Sequence, residues 1–140
     1  MATTLETTSK GLSKELPVVL AVDDSPVQLR LIQEALGRNG YTVKTATSGE
    51  KALEMMRASI PAVVVSDVTM AGMTGYDLCK AIKNDPKLGK TPVILLTSEG
   101  APKAFQAGRE AGAVVYITKP FKPEALLNAV RMVCPVAHTQ

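Results

Sequence analysis

Residues that bind metals through nitrogen or sulfur are scarce in this 140-residue chain. It has one histidine, His138, and two cysteines, Cys79 and Cys134, whose spacing is not that of a metal site. A zinc centre is therefore excluded, and a histidine so near the chain end is a poor candidate for catalysis. We expect both cysteines to be reduced thiols.

Basic clusters and long apolar runs are also missing. Tryptophan is absent, aromatic residues make up 4% of the chain, and the net charge is +3 with a pI near 8.9. A weak positive charge that is scattered along the chain gives no reason to expect nucleic acid as a partner. No apolar run is long enough to cross a membrane, and the Thr- and Ser-rich N-terminus lacks an apolar signal core. We therefore expect a cytoplasmic protein without membrane insertion.

What the chain does contain is an alternation of short apolar runs and amphipathic segments. With 46% hydrophobic and 21% charged residues, it suits one globular domain with a single buried core. The runs are Val18–Val22, Val63–Asp67, Val93–Leu96 and Val114–Ile117, and Tyr41–Ala46 is a shorter predicted strand whose alternating character is typical of a sheet edge. Continuous apolar strands separated by amphipathic helices are typical of an α/β protein whose parallel sheet is covered on both faces.

Helix boundaries are marked by capping residues. Ser25-Pro26 is expected to start a helix over about Val27–Arg38, which Asn39-Gly40 ends, and Ser48 is expected to cap a helix that runs to about Ala58. Helical spacing predicts which apolar residues face inward. They are Val27, Leu31, Ile32 and Ala35 of the first helix, Ala52, Leu53 and Met56 of the second, and Leu78 and Ile82 of the third.

Polar side chains stand where four of the predicted strands end. Asp23 and Asp24 follow the first strand, Asp67 ends the third, Thr97-Ser98 ends the fourth, and Lys119 follows the fifth. In a parallel α/β sheet, ligands bind beyond the carboxyl ends of the strands. We therefore expect these groups to lie close together at one edge of the sheet.

Three carboxylates at one edge repel one another unless a hard divalent cation lies among them. Mg²⁺ (or Mn²⁺) prefers oxygen ligands in octahedral geometry and usually keeps several waters. We expect Asp24 and Asp67 to bind it directly and Asp23 to bind directly or through water. The main-chain carbonyl of Thr69 is the fourth candidate ligand, because the loop after Asp67 must fold back over the metal.

The remaining groups suit a small tetrahedral oxyanion. Lys119 adds a fixed positive charge and Thr97 a hydroxyl donor. A carboxylate can act as a nucleophile toward phosphorus and form an aspartyl phosphate, a reaction that needs positioning and charge neutralisation. Asp67 is the natural nucleophile because it ends the central strand, between the other groups.

Each of these features has an ordinary explanation when it is taken alone. Asp23-Asp24 could be helix-start acids that favour the helix dipole, Lys119-Pro120 a surface turn, and Thr97-Ser98 a plain strand-to-helix junction. Their joint occurrence at the ends of four strands favours a functional site.

In these positions the chain resembles the receiver domain of two-component response regulators, over about Pro17–Val133. The matching residues are Asp23-Asp24, Asp67, Met70, Gly72, Met73, Gly75, Thr97-Ser98, Tyr116 and Lys119-Pro120-Phe121. The resemblance implies a flavodoxin-like, doubly wound (βα)5 fold with strand order 2-1-3-4-5.

The resemblance also divides the chain into a flexible tail (1–16), a receiver domain (17–135) and a short tail (136–140). One departure is Ala71, where the family usually has proline, and we expect this change to loosen the loop.

The resemblance also implies a function. Asp67 would accept a phosphoryl group from a sensor histidine kinase or a histidine phosphotransfer protein, with Mg²⁺ required. Thr97 and Lys119 would bind the phosphoryl oxygens, and Tyr116 would rotate in response to Thr97. A downstream protein would then dock near Tyr116, on the face of the fourth helix, fifth strand and fifth helix.

Because few residues follow Val133, we expect a stand-alone, CheY-like regulator. It would catalyse its own phosphotransfer and autodephosphorylation without being a turnover enzyme.

Two other functions stay open. The first is a protein-interaction module with a receiver fold that works without phosphorylation. The second is a metal-dependent phosphohydrolase with an aspartyl nucleophile, which would need a second acid two residues after that nucleophile. Thr69 stands at this position and argues against such an enzyme. Tyr116 likewise has a plain alternative as a half-buried edge aromatic with a solvated hydroxyl.

Overall fold

The computed structural model describes residues 16–98 and 102–135, in which strands and helices alternate along the chain. Apart from Leu16, the two predicted tails lie outside these residues, as does His138. The strands are β1 (Val18–Val22), β2 (Thr42–Ala46), β3 (Val63–Asp67), β4 (Val93–Thr97) and β5 (Val115–Thr118). The helices are α1 (Pro26–Gly37), α2 (Gly49–Ala58), α3 (Gly75–Asn84), α4 (Pro102–Ala111) and α5 (Pro123–Val133). No helix within these residues is long and apolar enough to cross a membrane.

The described strands form one parallel sheet in the order β2-β1-β3-β4-β5. The predicted order 2-1-3-4-5 is therefore confirmed, and β3 is the central strand. In this register Val22 lies opposite Ser66 and Asp67 lies opposite Leu96, so the carboxyl ends of the inner strands are level. This alignment brings the residues that end or follow β1, β3 and β4 to the same edge.

Two apolar layers lie on opposite faces of the sheet, because successive strand residues point to opposite sides. One layer joins the sheet to α2 and α3 and includes Leu20, Val22, Val64 and Leu95. The other layer joins it to α1 and α5 and includes Val19, Ala21, Val65 and Ile94. The inward residues predicted for α2 and α3 are all buried, which confirms those two faces.

Three helices begin with side-chain caps. Ser25 accepts a hydrogen bond from the backbone N–H of Gln28 at 3.3 Å, and Ser48 accepts one from Lys51 at 3.1 Å, so both predicted caps are confirmed. Helix α3 begins with a capping box, in which the Thr74 hydroxyl and the Asp77 carboxylate each accept the other residue's backbone N–H. This box fixes the start of the helix that follows the Asp67 loop.

The predicted inward face of α1 is wrong at two positions. Val27 and Leu31 are 68% and 49% exposed, whereas the buried residues are Leu29, Ile32 and Leu36. Helical spacing permits both stripes, and packing against β2 and α5 selects the second. The exposed pair therefore leaves an apolar surface on α1.

Candidate functional site

Three of the predicted site residues meet at the carboxyl edge of the sheet. The Lys119 ammonium lies 2.5 Å from Asp67 Oδ1 and 3.9 Å from Asp23 Oδ2. Lys119 is positioned by its backbone N–H, which donates to the Thr97 carbonyl at 2.6 Å. The backbone at the end of β4 thus holds Lys119 between Asp23, which follows β1, and Asp67, which ends β3.

Asp23 is the most enclosed of these acids, at 2% exposed. Its Oδ1 accepts the backbone N–H of Ser25 at 2.9 Å, while Oδ2 is buried and has no hydrogen-bond partner among the described residues. Burial raises the pKa of the Asp23 carboxyl, and the nearby Asp67 charge adds to this, although the Ser25 hydrogen bond and Lys119 act in the opposite direction. The negative charge of Asp23 is therefore only partly compensated by the groups around it.

Asp24 is exposed and contacts the loop after β3. Its Oδ2 accepts the backbone N–H of Ala71 at 3.2 Å. The family's usual proline at this position has no N–H to donate. Ala71 therefore makes a hydrogen bond that proline could not make, and this bond joins the loop to the residue that follows β1.

The predicted ligand set of three carboxylates is not gathered in this structure. Within residues 16–98 and 102–135, no three acidic, histidine or cysteine side chains are grouped closely enough to hold a metal ion. The donor chemistry nevertheless fits Mg²⁺, which needs only one or two carboxylates with carbonyl oxygens and waters. The buried Asp23 Oδ2, without a hydrogen-bond partner in the described chain, is the atom that such a cation would satisfy.

Thr97 lies at the same edge, at the end of β4. It is 1% exposed and pairs with Thr118 of β5, one strand further from the centre than Asp67. The residue is thus enclosed between the phosphoacceptor candidate and the strand that carries Tyr116.

Tyr116 is half-buried on β5 and packs against α4. Its ring meets Phe105 edge-on, with centroids 4.7 Å apart, and its hydroxyl lies 2.7 Å from the hydroxyl of Tyr76. The Tyr116 hydroxyl thus has a protein partner in this conformation. Nothing in the spacing of Tyr76 in the sequence distinguishes it from other residues that pack around the core, so sequence patterns alone do not single it out.

A groove of about 790 Å³ opens beside Lys119, between α1 and α5. Its walls combine apolar side chains with a polar rim from both helices. The lining includes Leu31, Ala35, Arg38, Phe121, Glu124 and Leu127. The exposed apolar surface of α1 thus continues to the edge that carries Asp67.

Known proteins match most of this chain. The family model of the response regulator receiver domain matches residues 19–131. The two-component response regulator ORR3 of Oryza sativa is 36% identical over 116 residues, which cover 82% of this chain and 88% of that protein. The response regulator PleD of Caulobacter vibrioides is 37% identical over 114 residues, which cover 81% of this chain and 25% of that protein.

Solved structures of response regulators are also similar to this chain. The chemotaxis protein CheY4 of Vibrio cholerae is 37% identical with a TM-score of 0.81, and the match covers 85% of this chain and 99% of that one. The BeF3-activated receiver domain of DrrB is also 37% identical, with a TM-score of 0.76, and the match covers 85% of this chain and 97% of that one.

Proposed function

Since this chain belongs to the response regulator receiver domain family, we propose that its Asp67 accepts a phosphoryl group from a phosphohistidine of a sensor histidine kinase or a histidine phosphotransfer protein. The observation that carries the proposal is the contact between Asp67, at the carboxyl end of the central strand, and the Lys119 ammonium, with Asp23 beside them.

In the reaction a carboxylate oxygen of Asp67 forms a bond to phosphorus while the bond from phosphorus to the donor imidazole breaks. The electron pair of that bond stays on the imidazole nitrogen. Lys119 contacts Asp67 Oδ1, which leaves Oδ2 to attack, and its ammonium neutralises charge on the phosphoryl oxygens. The chain undergoes one transfer and a later self-catalysed hydrolysis, without turning over an external substrate.

Mg²⁺ would be held by Asp23, Asp24, Asp67 and the Thr69 carbonyl. When bound, it would neutralise negative charge at the phosphoryl oxygens. Asp23 supports this assignment, because its buried Oδ2 finds no hydrogen-bond partner in the described chain.

The response to phosphorylation involves Thr97 and Tyr116. An aspartyl phosphate brings about two negative charges and three strong acceptor oxygens to the edge. The Thr97 hydroxyl moves to bind one of them, and the Tyr116 ring fills the space it leaves. The surface of α4, β5 and α5 changes shape, and a downstream protein docks there in a phosphorylation-dependent way. Tyr116→Ala should therefore weaken the partner response while phosphorylation stays intact.

The phosphodonor protein docks against α1. Asp67 is only 6% exposed, so a donor histidine must reach it across the carboxyl edge, where Leu31 and the groove offer apolar contact. Leu31→Asp should slow transfer from a protein donor but not from acetyl phosphate. Met132→Asp is the matched control, because Met132 is 76% exposed at the far end of α5.

The test is the intact mass after incubation with Mg²⁺ and acetyl phosphate, for wild type and Asp67→Asn. We expect one acid-stable, base-labile phosphoryl adduct on wild type alone. An absent adduct, together with no binding of beryllofluoride, would favour a phosphorylation-independent interaction module. Turnover of an external phosphomonoester would instead point to a phosphohydrolase.

A further inference from the structure

Two tyrosines from different elements share a hydroxyl hydrogen bond next to the candidate site. Tyr76 lies in the first turn of α3 and Tyr116 on β5, and their oxygens are 2.7 Å apart, the usual length for O–H···O. The Tyr76 hydroxyl also donates to the Ala104 carbonyl of α4 at 3.3 Å. When Tyr76 gives its single proton to Ala104, Tyr116 must be the donor between the two tyrosines. These bonds connect β5 to α4 through α3.

The Tyr116 ring reaches this position because Gly108 has no side chain. A methyl group at residue 108 would lie 2.7 Å from the ring atom Cδ1 of Tyr116, closer than carbon atoms approach without movement. Phe105, one turn earlier on α4, contacts the same ring. The position of the Tyr116 ring is therefore set jointly by the surface of α4 and by the Tyr76 hydroxyl.

Tyr76 is also linked to the strand end that carries Asp67. The preceding residue, Gly75, donates its backbone N–H to the Val68 carbonyl at 2.8 Å. A side chain at residue 75 would clash with the backbone carbonyl of Asp67, so the helix start lies directly against the end of β3. A shift of the Asp67 backbone thus reaches Tyr76 through one neighbouring residue.

A purely structural role for Tyr76 would require its ring and not its hydroxyl. The chain offers a reference for this distinction in Tyr41, whose hydroxyl donates to the Cys134 carbonyl at 2.7 Å in the other apolar layer. The two tyrosines make hydroxyl bonds of equal length, but only the bond of Tyr76 includes Tyr116.

We infer that Tyr76 is a positioning residue whose hydroxyl holds Tyr116 in its half-buried place against α4. Through Gly75, Tyr76 also links the position of the Tyr116 ring to the backbone of Asp67. The inference rests on the proposed function, because it matters for signalling only if Asp67 is phosphorylated and Tyr116 responds. In this role, the Tyr76 hydroxyl determines how far the Tyr116 ring is exposed to solvent before phosphorylation.

The test uses protein labelled with 3-fluorotyrosine. The three tyrosines of the chain give three ¹⁹F signals, and single Tyr→Phe variants assign them. The readout is the H₂O/D₂O isotope shift of the Tyr116 signal, which increases with solvent exposure. Tyr76→Phe keeps the ring and removes the hydroxyl, and should move the balance of Tyr116 positions toward the exposed one about fivefold, the factor expected for one buried hydroxyl bond. Tyr41→Phe, the matched control, should leave the Tyr116 signal unchanged.

Gly108→Ala provides a second, independent perturbation. It displaces the Tyr116 ring while Tyr76 stays intact, so the Tyr76 signal should change as its hydroxyl loses its partner. An unchanged Tyr76 signal in Gly108→Ala, or a Tyr116 signal that responds no more to Tyr76→Phe than to Tyr41→Phe, would overturn the inference.

The phosphoryl adduct is measured separately in wild type and Tyr76→Phe. An adduct in both with an unresponsive Tyr116 signal would refute the role of Tyr76 and leave the proposed function standing. Absence of an adduct from wild type would refute the proposed function, and the fluorine signals of the unmodified protein would still decide whether Tyr76 positions Tyr116.

Discussion

Replacing Asp23 by asparagine should stabilise the folded protein in the absence of metal. Oδ1 accepts the Ser25 N–H, and the asparagine carbonyl oxygen retains that bond. Oδ2 is buried without a hydrogen-bond partner in the described chain, and it is 3.9 Å from Lys119, whereas Asp67 is 2.5 Å from the same ammonium. The substitution removes a buried charge and its repulsion with Asp67, gives up the longer contact with Lys119, and leaves an uncharged amide nitrogen in the place of Oδ2.

The magnitude follows from two opposing effects. A buried polar atom without a partner costs about 1–3 kcal/mol, and more when it is charged. Attraction to Lys119 offsets part of this cost, but the raised pKa of Asp23, caused first by burial, shows that the ionised form is disfavoured overall. We therefore expect Asp23→Asn to raise the free energy of unfolding at pH 7 by about 1–2 kcal/mol, and the Tm by about 3–8 °C.

The same reasoning gives a pH dependence. A raised carboxyl pKa means that the folded state binds a proton more tightly than the unfolded chain does. The destabilisation by Asp23 is therefore fully present above its folded pKa and is lost as the pH falls from there toward the ordinary value of 3.8. The stability difference between Asp23→Asn and wild type should shrink over that range.

Urea denaturation with and without Mg²⁺ measures these effects. Mg²⁺ at ten times its Kd should add about 1.4 kcal/mol to wild type, and less to Asp23→Asn. Asp24→Asn is the control, because Asp24 is exposed and the amide oxygen can still accept the Ala71 N–H, so its metal-free stability should change by less than about 0.5 kcal/mol. If Asp23→Asn instead lowers the metal-free stability, attraction to Lys119 dominates and the reasoning is wrong.

Three further predictions concern the helices and thiols around the site. Gly75→Ala should lower the free energy of unfolding, measured by urea denaturation, by about 3 kcal/mol, because the added methyl group would clash with the backbone of β3. Gly37→Ala is the control: no described atom lies within 4 Å of the added methyl group, so this variant should raise the free energy of unfolding by up to about 1 kcal/mol. Asp77→Ala should lower the Tm at neutral pH but not in acid. Hydrogen bonds at the start of α3 hold the pKa of Asp77 below 3.8. The stability that the ionised carboxylate contributes to the folded state is therefore lost as the pH falls through that pKa. Iodoacetamide at pH 8 should modify half-buried Cys134 before Cys79, since burial raises the pKa of the Cys79 thiol to about 11, and equal labelling in peptide maps would contradict this.

The sequence predicts most of the fold because its signals are local. Ser25 and Ser48 lie where helix starts need an acceptor, and each makes the expected bond to a backbone N–H. The convergence of Asp23, Asp67 and Lys119 then follows from topology alone, because parallel strands bring their carboxyl ends to one edge.

What the sequence could not predict depends on packing between distant elements. The stripe of α1 that carries Val27 and the stripe that carries Leu29 are both apolar, and contact with β2 and α5 decides between them. The bond between Tyr76 and Tyr116 joins residues 40 positions apart and depends on the missing side chain at Gly108. Periodicity along one helix contains no information of this kind.

The strand order has a consequence for how the protein is made. Asp23 follows β1 and Asp67 ends β3, but their cation, Lys119, follows β5 and is held by the Thr97 carbonyl. A nascent chain that has emerged from the ribosome only as far as β4 carries both carboxylates without the lysine. If Asp67 accepts a phosphoryl group as proposed, a chain without β5 lacks the cation that contacts it, and phosphotransfer should begin only after the last strand has joined the sheet.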